Sequence, residues 1–118
     1  DVLVSIHRSE GLGLHILEAL LRGVPVLSTA FSAPTEFLDS ANSALVDYAL
    51  VPVKNGNGVY PTGYLWAQPD VQHAAYLMRK LSSNSVYLND LKKGTVAVQK
   101  HLVSEEEAGL KLASWLFE

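Results

Sequence analysis

The chain contains no cysteine, which excludes disulfides and thiolate metal sites across its 118 residues. That absence fits a reducing compartment, and a cytoplasmic location is the expectation drawn from it. An excess of positive charge is also missing: 9 Lys and Arg stand against 12 Asp and Glu, a net charge of −3, with no basic run. Such a chain offers no electrostatic footprint for nucleic acid and no polybasic patch for an anionic membrane. No apolar stretch approaches the roughly 20 residues a membrane-spanning helix needs, and the N-terminus lacks a signal-peptide layout. An initiator Met is missing too, and the chain opens directly on the strand-type run "DVLVSI". It is therefore expected to start inside a fold, as a piece of a longer protein. What is present is ample apolar material, 48% hydrophobic against 18% charged residues, enough for the core of one domain.

The order of elements points to an α/β fold. Val2 to Ile6 is short and rich in β-branched residues, as expected of a buried parallel strand. A glycine-containing turn, Ser9 to Gly13, leads into an amphipathic helix over 14–22. There Leu14, Leu17 and Leu21 form the apolar face, and His15, Glu18 and Arg22 fall at the same spacing on another face. Gly23 sits where a helix ends in a left-handed residue, and "VPVLS" resumes strand character. Strand, turn, helix, strand is a βαβ unit, whose crossover implies parallel strands and puts the turn at the carboxyl end of the first. Pro34 marks a short helix over about 34–39, and "SALVDY" reads as one more strand. Residues 50–66, with turn dipeptides Asn55-Gly56 and Asn57-Gly58, form a long excursion compatible with a hairpin. Three helices are expected to close the chain. The first is capped by Asp70 and carries Val71, Ala74, Ala75, Leu77, Met78 and Leu81 at helical spacing. The second runs from Asn84 to about His101, its continuity weakened by Gly94. The third opens on a capping box of Ser104 and Glu107, with Glu105 to Glu107 at the positive end of its dipole.

The stretch "SEGLGLHILE" carries the chemistry. A glycine turn feeding a helix at the carboxyl end of a parallel strand presents free N–H groups and roughly half a positive charge to an anion. Gly11 and Gly13 permit positive φ and let a phosphate approach the backbone. The plainer reading, a tight strand-to-helix turn with no ligand, stands beside it. The dinucleotide fingerprint is broken by Ile16, and the Gly-Lys-Ser/Thr of a P-loop is missing. A carboxylate beside a phosphate is repelled, so Glu10 and Glu18 make most sense accepting hydrogen bonds from sugar hydroxyls. For Glu18 the alternative is an i,i+4 pair with Arg22, which needs no ligand and is worth about 0.2–0.5 kcal/mol.

"HRSEGLGLHILEALLRGVPVLST" resembles the donor-site segment of the group-1 family of retaining nucleotide-sugar glycosyltransferases, which have the two-Rossmann GT-B architecture. The family hallmark, E-x7-E around a glycine turn, is matched by Glu10, Gly11, Gly13 and Glu18. The similarity continues through "NSALVDYALVPV" and "YPTGYLWAQPDVQHAAYLM" and covers nearly the whole chain. The resemblance implies that residues 1–118 are an incomplete C-terminal donor-nucleotide-binding domain: a partial Rossmann-like parallel sheet with flanking helices, the acceptor domain lying elsewhere. It implies that Glu10 faces the donor sugar as the catalytic glutamate. Gly11, Leu12, Gly13 and Leu14 would form the donor turn, the Leu12 to Leu14 amides would hold the diphosphate, and Glu18 would bind the ribose. The implied partners are a nucleotide-diphosphate sugar, an acceptor that is a saccharide, lipid or protein, and the N-terminal domain of the same protein. No nucleic acid and no cofactor is implied. The chain departs from the family at "SAPTEF", where relatives often have a Gly-Asn pair followed by an acid and only Glu36 matches, and at Gln68, where Glu is expected. The Arg and Lys that grip the diphosphate in relatives would lie upstream of position 1.

Other residues suggest less. His7, His15, His73 and His101 show no paired metal-ligand spacing, so no metal site is expected. His7 and Arg8 border the turn, where they either assist a phosphate or hold the strand end. Tyr60, Tyr64 and Trp66 either stack on a base or sugar or pack against the following helices. Two further functional readings remain open: a non-catalytic interaction module with a glycosyltransferase-like fold, and a phosphate-binding α/β domain unrelated to sugars.

Overall fold

The computed structural model describes residues 1–56, 58–101 and 105–117. Three parallel strands, β1 (Leu3–Ser5), β2 (Val26–Thr29) and β3 (Ser43–Val46), form a sheet in the order β1-β2-β3. Helix α1 (Leu14–Leu21) connects β1 to β2, and a 3-10 turn over Ala33–Glu36 lies between β2 and β3. Strands β4 (Tyr48–Pro52) and β5 (Leu65–Pro69) pair antiparallel as a separate hairpin. Helices α2 (Val71–Ser83), α3 (Ser85–His101) and α4 (Glu105–Phe117) follow. The fold is thus mixed α/β, with the expected βαβ unit at its start.

Strand β2 lies between its two neighbours and all four of its residues are buried. Its successive side chains point to opposite faces, and each face has its own cluster. Val26 joins Ile16 and Leu20 of α1 with Leu38, whereas Leu27 joins Ala44 and Val46 of β3 with Ala74, Leu77 and Leu81 of α2. Helix α3 contributes to both, through Leu91 on the α2 side and Val98 on the α1 side.

Two expectations about burial are corrected. Strand β1 is an edge rather than a strand buried on both faces: among the described residues it pairs with β2 alone, and Val4, which belongs to neither buried cluster, is 47% exposed. On α1 the buried stripe is Ile16 and Leu20, not Leu14, Leu17 and Leu21. Leu14 is 63% exposed and Leu17 half-buried, since the helix is rotated to bring Ile16 and Leu20 onto Val26 and Val98. Likewise Ala74, Leu77 and Leu81 make the buried face of α2, while Val71 and Met78 stay exposed.

Local signals explain the element ends. The Gly23 N–H donates to Leu20 O at 3.0 Å and the Val24 N–H to Ala19 O at 2.9 Å, the two bonds of a Schellman motif, with Gly23 at φ 73°. Asp70 accepts from the N–H groups of Gln72 and His73 at 2.8 and 2.9 Å, capping α2 as its position predicts. Helix α3 runs unbroken through Gly94. A Cβ there would overlap the carbonyl oxygen of Ala41, so the glycine allows α3 to approach the chain before β3. Ser104 and Asn57, assigned above to a cap and a turn, lie outside the described residues.

Candidate functional site

The segment leaving β1 is stitched to the segment leaving β2. Thr29 Oγ1 donates to His7 O at 2.7 Å, His7 Nε2 lies 3.0 Å from Phe31 O, and Ser32 Oγ donates to Glu10 O at 2.7 Å. His7 therefore holds the strand end, its Nδ1 buried without a hydrogen-bond partner among the described residues. Arg8 lies over the Trp66 ring, 4.8 Å from its centroid, and its carbonyl accepts from the Ala67 N–H at 2.9 Å. Trp66 packs against Tyr60, at a centroid distance of 5.9 Å, and against Arg8, while Tyr64 is exposed. These contacts lie within the hairpin region and between it and the segment leaving β1, not on the following helices as one reading held.

Between Glu10 and α1, the two glycines do different work. Gly13 adopts φ 78°, ψ 51°, the left-handed conformation that glycine favours, and starts the helix. A Cβ on it would stand 3.1 Å from Pro34 Cγ and 3.2 Å from Ile16 Cδ1, so the site is walled as well as bent. Gly11 has no positive φ and open space around it, so of the two glycines that permit left-handed backbone it is Gly13 that uses it. Helix α1 has no side-chain cap. Ile16 and Leu17 N–H groups donate to Gly13 O, but those of Leu12, Gly13 and Leu14 have no acceptor among the described residues. Open amides at a helix start carry partial positive charge and are suited to an anion.

The two glutamates occupy separate surroundings. The Glu10 carboxylate turns back to accept from the Gly11 N–H at 3.0 Å, with its Cγ 3.4 Å from where a Gly13 Cβ would be. Glu18 faces out of α1 and, with His15 and Arg22, lines a groove of about 330 Å³ beside Leu3 of β1. Its carboxylate forms no ion pair with Arg22 or with any other described residue. The plain i,i+4 reading of Glu18 is therefore absent, and its oxygens are open to a ligand. His15 Nε2 is 3.2 Å from Ser5 Oγ. Glu36 is exposed and lines a groove of about 300 Å³ with Ala97 and Val98 of α3. No group of three or more His, Asp and Glu residues among those described is arranged to hold a metal ion.

Ser32 is the residue that sequence reasoning missed. Its φ 70°, ψ −167° is a conformation almost confined to glycine, and its hydroxyl anchors the carbonyl of Glu10. The departure at "SAPTEF" drew attention to this segment without revealing the backbone strain. No helix among the described residues is long and apolar enough to cross a membrane. Compared with protein-family models, curated proteins and solved structures, the chain matches none.

Proposed function

We propose that the chain is the donor-nucleotide-binding part of a retaining glycosyltransferase, a partial Rossmann-like layer of the C-terminal domain of a GT-B fold. The observation that carries this reading is the set of open Leu12 to Leu14 amides at the start of α1, flanked by one glutamate on each side. In this reading the amides hold the diphosphate and meet the charge that develops as the nucleotide leaves. Glu10 faces the sugar and supports the oxocarbenium-like transition state, and Glu18, free of Arg22, accepts hydrogen bonds from the ribose hydroxyls. The sugar passes with retained anomeric configuration to an acceptor held by the N-terminal domain.

Calorimetric titration of the intact protein with UDP-glucose and GDP-mannose tests the assignment. Loss of a hydrogen bond to a charged group costs about 1.5–3 kcal/mol, so Glu18→Ala is expected to weaken whichever donor binds by about 10- to 100-fold. Unchanged affinity sinks the ribose role. Glu10→Gln is expected to keep donor binding and lose release of nucleoside diphosphate.

A second reading, the non-catalytic interaction module, draws on α4. Leu110, Leu112, Trp115, Leu116 and Phe117 are all more than half exposed on that helix, an apolar surface of the kind that partners cover. Absence of binding to any nucleotide sugar would favour it.

A further inference from the structure

We propose that Ser32 is a positioning residue for Glu10, aiming its carboxylate at the donor sugar through the peptide unit that joins Glu10 to Gly11. This deepens the transferase reading above and rests on it. The Ser32 hydroxyl donates to Glu10 O at 2.7 Å, and the Gly11 N–H donates to the Glu10 carboxylate at 3.0 Å. That carbonyl and that N–H belong to one planar peptide unit and point to opposite sides of it. Ser32 therefore grips one edge of the plane, and the carboxylate rests on the other. Among the described residues neither group has a further partner. Gly11, with open space around it and no Cβ, leaves the chain free to turn this plane over, so the hydroxyl is what fixes the direction of the carboxylate.

The backbone of Ser32 marks the same contact. Among the described residues it alone has a positive φ without being glycine, and its φ 70°, ψ −167° is a region that glycine enters without strain and serine does not. What serine adds to a glycine there is a hydroxyl, and that hydroxyl goes to Glu10. Strained residues persist where their surroundings over-determine them. Thr35 does so on the carbonyl side, where its N–H and Oγ1 both donate to Ser32 O, at 3.1 and 2.8 Å. Pro34, on the same segment, stands 3.1 Å from where a Gly13 Cβ would be, so the segment leaving β2 touches the turn before α1 at Glu10 and again at Gly13. The groove of about 450 Å³ beside the β4–β5 hairpin, lined by Arg8, Lys54, Asn55, Trp66 and Gln68 among others, does not include Glu10. The contacts that orient Glu10 come from the β2 side.

Turnover of UDP-glucose and GDP-mannose by the intact protein, followed as release of nucleoside diphosphate, tests the role. Misplacing a reacting group by about 1 Å costs up to about 100-fold in rate. Ser32→Ala and Ser32→Gly are each expected to lower kcat at least about tenfold and to keep KM within about twofold, because the Leu12 to Leu14 amides and Glu18 still bind the donor. The two variants differ in backbone strain, so a role in loop stability alone would make the glycine variant the more active. Equal losses mark the missing hydroxyl. Asp70→Ala removes the cap of α2 and controls for general destabilisation, and its kcat is expected to be unchanged. Full kcat in either Ser32 variant, a clearly higher kcat in Ser32→Gly than in Ser32→Ala, or a loss in Asp70→Ala as large as theirs overturns the positioning role. Failure of the unaltered protein to bind or turn over either donor sinks the transferase reading itself, and the positioning role with it.

Discussion

At the carboxyl end of the parallel sheet, the turn before α1 is shaped by backbone, whereas the groove beside the hairpin is shaped by side chains. In the turn, open amides, a left-handed Gly13 and a strained Ser32 define the space, and Pro34 closes one wall. In the groove, Arg8, Lys54, Asn55 and Gln68 define it, on a hairpin whose backbone pairing is ordinary. The difference predicts how each fails. A turn made of backbone is sensitive to an added Cβ, and a groove made of side chains to a changed charge.

The largest effect is expected from the turn. Gly13→Ala forces an L-residue into the left-handed region and presses on Pro34 and Ile16, costing about 2 kcal/mol of stability in urea unfolding. Gly11→Ala, with open space and no positive φ, is expected to stay within about 0.5 kcal/mol. Equal costs at the two positions would erase the distinction between the glycines. Next comes Ser32, where Ser32→Ala removes the bond to Glu10 O and keeps the strain, for a loss of about 1 kcal/mol. Ser32→Gly loses the same bond but relieves the strain, so it is expected to be the more stable of the two in thermal unfolding. The reverse ranking would show that the backbone there is unstrained.

The smallest effect lies outside both sites and serves as their control. Burial raises the Tyr87 phenol above its ordinary value near 10, and Tyr76 adds to the rise. The neutral phenol is favoured in the folded state, so its contribution is complete below pH 10 and is lost as pH rises through the folded value. Tyr87→Phe is expected to lessen the alkaline loss of stability above pH 10 and to change nothing at pH 7. An unchanged alkaline limb in a pH series of melts would assign that loss to other groups.

Legibility followed the range of the interactions involved. The βαβ unit, the Asp70 cap and the Gly23 helix end were readable because each is decided within a few residues. The buried face of α1 was not, because the helix carries apolar residues on more than one side and only contact with Val26 and Val98 selects Ile16 and Leu20. Gly94 looked like a weakness in α3, and its purpose appears only when Ala41 is placed against it. Glu10, Gly13 and Glu18 were visible as a spaced motif, but the cationic groove was not. Arg8, Lys54 and Gln68 are far apart in the chain and meet only through the hairpin.

Helix α3 touches both apolar clusters, with Leu91 in one and Val98 in the other. It acts as a rivet through the two faces of the sheet, so neither layer can be released without loosening the other. Loss of tertiary structure in this region should therefore be a single cooperative event, and the amides of β2, enclosed between the layers, should be among the last to exchange with solvent.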